Sequence, residues 1–249
     1  NQSVAWAQPM TLRVATFNIE DVRGTDLVDD KQPRLKNLAR VINTIKPNIL
    51  LLNELAYDMA GAPGFKEGDE PGRNAQRFVD LYVHPGASDG IRYKVYMPET
   101  NTGITSGFDL DNDGKIVTTF PSPPGAKPDG SPGAQTADGR AYGNDCWGFG
   151  TFPGQYGMAL LVDERLTIDT QNIRTFARLP WDYIQGAYLP SKVNADGTVT
   201  SEGWYSQEEL KYLRISSKTM AHIPVKLPSG AVVHILASHP TPPGFDGPE

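Results

Sequence analysis

The sequence predicts an α/β fold, and three observations carry that expectation. A strand–helix–strand unit runs from residue 12 to residue 54, a β-hairpin occupies 219–238, and 25 Gly and 21 Pro among 249 residues mark long loops on an ordered framework. In the first strand, 12–18, Leu12, Val14 and Phe17 form a short β-favouring run that ends in the amide of Asn18. Pro33 sits where a helix would start. Leu35, Leu38, Val41, Ile42 and Ile45 then recur at three- and four-residue spacing until Pro47 forbids continuation. Ile49-Leu50-Leu51-Leu52 is too short for a helix and apolar on both faces, as a central strand covered on both sides would be, and it ends in Asn53-Glu54. A right-handed crossover between the two strands places Asn18 and Glu54 on one edge of one sheet, where α/β folds build their sites.

Further along, Ala75, Phe78, Val79 and Tyr82 predict a helix over 74–83, and strands are expected at 91–97 and 156–162. Residues 98–155 show no regular element; within them, 121–157 hold nine Gly and six Pro. The stretch 163–213 is mixed, with six aromatics from Trp181 to Tyr212 and no assignable pattern. The hairpin joins 219–226 to 231–238 through Pro228-Ser229-Gly230 and delivers His239. No fixed-period repeat appears and no linker separates two domains. The expected organisation is residues 1–10 as a signal remnant or disordered N-terminus, followed by a single domain from residue 11.

With 39% hydrophobic and 21% charged residues the chain can bury a core, which excludes intrinsic disorder and coiled coil as overall descriptions. The single cysteine, Cys146, excludes an internal disulfide and a Cys-rich zinc site. No stretch is apolar for the ~18 residues a bilayer span needs. Ala5-Trp6-Ala7-Gln8 is like the small-x-small end of a secretory signal, so a secreted or periplasmic location is expected. A net charge of −6 argues against a protein that coats nucleic acid, but not against an enzyme that meets phosphate through a bound metal.

Asn18, Glu54 and His239 each follow an apolar strand. Alone, the first two read equally as capping or turn groups and the third as a satisfied histidine. Together, a Glu carboxylate and an Asn amide suit a hard cation such as Mg²⁺ better than zinc. Asp109, Asp111 and Asp113, with Gly114, match the first half of a calcium loop, but Phe120 stands where an EF-hand wants Glu. The expectation is either a structural Ca²⁺ loop that borrows another acidic ligand such as Asp145, or an unoccupied Asx-rich turn. Lys218 and Arg214, just before the hairpin, are candidates to offer positive charge to a phosphate, or else are solvated surface charges. Trp147, Phe149, Phe152 and Tyr156 surround the glycine-rich turn, placed either to stack on a ligand or to close a small satellite core.

Four segments in this order, Thr16-Phe17-Asn18, Leu52-Asn53-Glu54, Gly154-Gln155-Tyr156-Gly157-Met158-Ala159-Leu160-Leu161 and Ser238-His239-Pro240, resemble the endonuclease/exonuclease/phosphatase superfamily, which includes deoxyribonuclease I. The resemblance is nearest to exported bacterial members that share Asn-Thr-Gly, Asp-Gly, Gly-Gln-Tyr-Gly and His-Pro-Thr-Pro-Pro landmarks. It implies a four-layer α/β sandwich with two facing mixed β-sheets and the site at one end of them. It also implies a role for each matched residue: Glu54 as principal metal ligand, Asn18 at the metal and the phosphate, Tyr156 bonding a phosphate oxygen, and His239 contacting the scissile phosphate. The family's later motifs, Gly-Asp-x-Asn and a terminal Ser-Asp-His, do not follow His239, so 11–249 is expected to be the N-terminal majority of such a domain, truncated at its C-terminus.

The expected function is a Mg²⁺- or Mn²⁺-dependent phosphoric ester hydrolase acting by direct attack of water. Its substrate is a nucleic acid, a phospholipid head group or a small phosphoester, and no protein partner is predicted. The other reading is an inactive fragment or calcium-stabilised binding module on the same scaffold.

Overall fold

The computed structural model describes residues 11–86 and 90–240, so the expectations for residues 1–10 and for the segment after Pro240 lie outside the described residues. The predicted strand–helix–strand unit forms as β1 (Val14–Val22), α1 (Pro33–Ile45) and β2 (Ile49–Leu55), with β1 and β2 parallel and Asn18 paired in register with Asn53. Pro33 occupies the first turn of α1, where its missing N–H costs nothing. The helix ends as Lys46 turns left-handed (φ 49°) and its N–H donates to the Ile42 carbonyl at 2.8 Å, one residue before Pro47.

The predicted helix over 74–83 is α2 (Asn74–Phe78), which widens into a π-helical turn over Val79–Val83. Asp58, 2% exposed, anchors its start by accepting from the Asn74 N–H at 2.8 Å and from the Arg77 guanidinium at 2.9 Å. The next strand, β3, is limited to Tyr93–Tyr96, and a short helix that the sequence did not betray, α3 (Ala137–Asn144), lies inside the Gly/Pro-rich loop. Next comes β4 (Met158–Asp163), buried along its whole length, which begins two residues later than predicted and so leaves Tyr156 in the turn before it. The unassigned stretch contains β5 (Thr167–Ile168), β6 (Arg174–Thr175), β7 (Ser191–Val193), β8 (Val199–Gly203) and α4 (Gln207–Leu210). The hairpin is β9 (Met220–Lys226) and β10 (Val232–Ser238).

These strands form two principal sheets and a separate β7–β8 pair. The first has the order β1-β2-β4-β3, and the second has the order β10-β9-β5 with β6 also on β9. Alternation along each strand decides the layering. One face of the first sheet, with Ile19, Leu50, Leu52, Ala159 and Leu161, packs on α1 and α2 through Leu35, Ile42, Phe78 and Val79. The other face, with Ile49, Leu160 and Val162, packs on Ala221, Ile223, Val225 and Ala237 of the second sheet. Each fully buried aliphatic side chain contributes about 1.5–3 kcal/mol, so the two clusters hold the sandwich together.

The described layers are therefore helix, sheet and sheet. Among the described residues nothing packs on the outer face of the hairpin, where Leu236 is 80% and Val232 40% exposed. None of the described helices is long and apolar enough to cross a membrane.

Candidate active site

The site lies where β1, β2, the turn before β4 and the end of β10 meet. The β1–β2 register is regular to Asn18 and breaks before Val22, and Glu20 and Asp21 in the gap take left-handed backbone (φ 55° and 48°). Glu54 (φ 66°) and Tyr156 (φ 58°) do the same on the neighbouring segments. Left-handed backbone is costly for residues other than Gly and Asn, and a cluster of it marks a place where the surroundings impose the conformation. The predicted strand end at Asn18 is thus a bulge within a longer strand.

Asn18 donates through Nδ2 to Glu54 Oε1 at 2.7 Å, while its own Oδ1 accepts from the Glu20 N–H at 2.9 Å. The amide is thereby fixed and the Glu54 carboxylate aimed. His239 arrives from β10 with Nε2 3.9 Å from Glu54 Oε1, and its Nδ1 is buried with no partner among the described residues. Burial, and then Lys218, push the His239 pKa below its ordinary value against the opposing pull of Glu54, so the ring is neutral near pH 7.

Lys218 is only 8% exposed, so the reading of it as a solvated surface charge does not hold. Burial lowers its pKa too, with Glu54 opposing. Its chain segment is pinned from two sides. The Asn101 N–H donates to the Lys218 carbonyl at 2.8 Å and Asn101 Nδ2 to the Ala177 and Ser216 carbonyls at 2.6 and 2.8 Å. Gly148 passes so close that a Cβ there would lie 1.6 Å from the Ser217 carbonyl oxygen. Arg214 stands further back: its guanidinium donates to Asn101 Oδ1 and lies over the Trp147 ring at 5.0 Å.

Tyr156 is held by a network that the sequence reading missed. Asp21, 5% exposed, accepts at Oδ2 from Arg23 at 2.6 and 3.0 Å and from Gln155 Nε2 at 2.9 Å, tying β1 to the turn 134 residues later. Gln155 Oε1 in turn accepts from the Thr151 N–H and hydroxyl. The turn fits closely. Gly154 (φ 85°) lies where a Cβ would be 1.9 Å from the Tyr57 carbonyl oxygen. The Tyr156 hydroxyl accepts from Gln135 Nε2 at 2.9 Å, and burial pushes its pKa up to about 12, so it keeps its proton. The clue in the sequence was the acidic pair Glu20-Asp21 shortly after Asn18, but polar residues past a strand end read as loop.

A second acidic group lies on the long loop. Ligand oxygens of Asp109, Asp111 and Asp145 come within 4.8 Å of one another. Asp113 points its carboxylate at the Lys115 N–H instead, at 2.8 Å, so of the predicted loop ligands only Asp109 and Asp111 converge, joined by Asp145. Cys146 is buried, donates to the Tyr142 carbonyl, and has its pKa pushed up to about 12, which leaves an inert thiol. The four aromatics do not form one ligand platform: Phe152 closes a small core with Ala56 and Ala62, and Trp147 is taken by Arg214.

No family model matches the sequence, and no curated protein does either. Two solved structures are similar to this chain. An endonuclease/exonuclease/phosphatase from Beutenbergia cavernae DSM 12333 has a TM-score of 0.40 and 18% identity, over 94% of this chain and 39% of that one. An endonuclease/exonuclease/phosphatase family protein from Leptotrichia buccalis C-1013-b has a TM-score of 0.42 and 11% identity, over 95% of this chain and 57% of that one. The chain therefore spans 39% and 57% of the lengths of these two proteins.

Proposed function

We infer that the chain carries the metal- and phosphate-binding part of a phosphoester hydrolase that acts by direct attack of water. The observation that supports this most is the convergence of Glu54, Asn18, His239 and Lys218 with a protonated Tyr156, a set that combines a carboxylate with neutral and cationic hydrogen-bond donors. Glu54 would hold a divalent cation, with Asn18 aiming its carboxylate through Nδ2, and an oxygen ligand of this kind fits Mg²⁺ or Mn²⁺. The buried Oδ1 atoms of Asp21 and Asn53, which have no partner among the described residues, give the same corner further demand for positive charge or donors. When bound, such a cation acts as a Lewis acid on the phosphoryl oxygen.

The rest of the chemistry belongs to the side chains. Because the Tyr156 hydroxyl already accepts from Gln135, its proton is free to be donated to a non-bridging phosphate oxygen. Lys218, dehydrated and fixed, stabilises charge that grows on the phosphoryl group. Neutral His239, with Nε2 beside Glu54, would orient the ester through a hydrogen bond. The substrate is a nucleic acid, a phospholipid head group or a small phosphoester, and the location is secreted or periplasmic. The acidic chain favours the smaller esters over long nucleic acid.

The test is hydrolysis of a generic phosphodiester, bis(p-nitrophenyl) phosphate, with and without Mg²⁺. Divalent-dependent turnover that falls at least about 100-fold in both Glu54→Gln and His239→Asn supports the reading; turnover that survives both substitutions overturns it. The Asp109, Asp111 and Asp145 cluster favours a second reading, a calcium-stabilised binding module on the same scaffold, which predicts a Ca²⁺-dependent rise in melting temperature and no turnover.

A further inference from the structure

We propose that the cleft between the end of β3 and the end of β6 is a recognition subsite for an alkylammonium group, so that the preferred substrate is a phosphoester carrying a positive charge a few bonds from its phosphorus. The inference rests on the phosphoesterase reading and adds to it the chemistry of the group beyond the phosphate. The cleft has a volume of about 470 Å³, in the range of small-molecule sites, and its walls come from Tyr57, residues 96–99, Thr175, Ala177 and Arg178. β3 and β6 stand at the edges of their sheets opposite β1 and β10, so the strands that wall the cleft lie away from the outer side of the hairpin.

Four of the lining residues, Tyr57, Tyr96, Glu99 and Arg178, carry a polar side-chain group that makes no hydrogen bond or ion pair with another described residue. Tyr57 is the fixed part. Its N–H donates to the Gly154 carbonyl at 2.7 Å, which joins it to the turn that carries Tyr156, and its ring lies so close to Gly72 that a Cβ there would be 2.9 Å from Cε2. Glu99 stands near enough for its charge to act on both phenols. Burial first and Glu99 second hold the Tyr57 and Tyr96 hydroxyls above the ordinary tyrosine pKa, so both keep their protons. An unpaired carboxylate beside two electron-rich rings holds an ammonium through its charge and through cation–π contact. Arg178 acts elsewhere in the cleft, on Arg214, whose pKa is lowered by burial and then by Arg178. The charges are thus sorted, with the carboxylate among the phenols and the guanidinium toward Arg214. Asn101, two residues after Glu99, ties the cleft to the phosphate site: its N–H donates to the Lys218 carbonyl at 2.8 Å, and its Nδ2 to the carbonyl of Ala177, next to Arg178, at 2.6 Å. A phosphate at Lys218 can then meet Arg178 while a cation on the same ester reaches Glu99.

The experiment is calorimetric titration of aminoethylphosphonate and of propylphosphonate into the purified chain in saturating Mg²⁺. The second probe replaces the ammonium by a methyl group of nearly the same size, and neither has an ester bond to hydrolyse, so binding is read without turnover. We expect aminoethylphosphonate to bind about tenfold more tightly, a preference lost in Glu99→Gln with the affinity for propylphosphonate unchanged. Arg178→Met should weaken both probes alike. Glu99 and Arg178 are exposed, so both variants should fold, which unchanged circular dichroism would verify. A preference that survives Glu99→Gln, or an Arg178→Met variant that binds the ammonium probe alone more tightly, would overturn the proposal. Tighter binding of AMP than of aminoethylphosphonate would overturn it as well and assign the cleft to a nucleobase. If both phosphonates bind the wild type equally, this subsite falls and the phosphate site stands; if neither binds, both readings fall.

Discussion

Replacing Asp21 by Asn tests whether the buried Asp21–Arg23 pair holds the site together. The carboxylate accepts two hydrogen bonds from Arg23 and one from Gln155, and the side chains of Asp21 and Arg23 are 6% and 10% exposed. The substitution keeps the shape and removes the charge, leaving a buried guanidinium without its counter-ion. Removing one partner of a buried pair costs about 3–5 kcal/mol, whereas removing both is often close to neutral. Each kcal/mol shifts the melting temperature by about 2–4 °C in a chain of this size, so the single variant should melt roughly 6–20 °C lower. Arg23→Leu in the Asp21→Asn background should then cost far less than the two changes summed, with a coupling of about 1–3 kcal/mol. Some loss remains, because the bond from Arg23 to the Pro124 carbonyl at 2.7 Å goes as well. Urea unfolding of the four proteins is the assay, and additivity within about 0.5 kcal/mol would refute the claim that the pair is one unit.

Gly154→Ala should destabilise the chain and displace Tyr156, since the added methyl would meet the Tyr57 carbonyl at 1.9 Å on left-handed backbone; a wild-type melting curve would count against it. His239 and His84 both have pKa values lowered chiefly by burial, so the folded state resists their protonation. Their contribution is intact above the unfolded value near 6.5 and is lost as pH falls through it, while Asp145, raised by burial, acts in the opposite sense. The melting temperature of His239→Asn should therefore fall less than that of wild type between pH 7.5 and 5.5, and parallel curves would contradict the assignment. Ca²⁺ should raise the melting temperature through Asp109, Asp111 and Asp145, with the rise abolished in Asp111→Ala and preserved in Asp113→Ala; equal loss in both would show that Asp113 also ligates.

What could be read from the sequence depended on the length of each pattern. The β1–α1–β2 unit and the hairpin are long enough for their apolar periods to repeat, and both appear within a few residues of where they were expected. The strands β5 and β6 have two residues each, too few to show alternation, and hydrogen bonds from β9 are what define them. Asn18, Glu54 and His239 stood out because each follows an apolar strand. Asp21, Gln155 and Asn101 did not, because they act across 134, 134 and 115 residues of chain through bonds that no local pattern records. Whether Lys218 is buried or solvated stayed open in the sequence for the same reason: the residues that pin its segment, Asn101 and Gly148, lie far from it along the chain.

The left-handed residues at the site have a consequence for how this protein would respond to selection. Glu20, Asp21, Glu54 and Tyr156 each hold a conformation that glycine adopts with no steric penalty. A screen for heat tolerance alone should therefore drift toward glycine at the exposed member of the set, Glu20, and would gain backbone relief at Glu54 while erasing the carboxylate. A screen for turnover should hold Glu54 and Tyr156 against that drift. The two selections would pull the same codons apart, and deep mutational profiles run under each would separate the side chains kept for chemistry from those kept for folding.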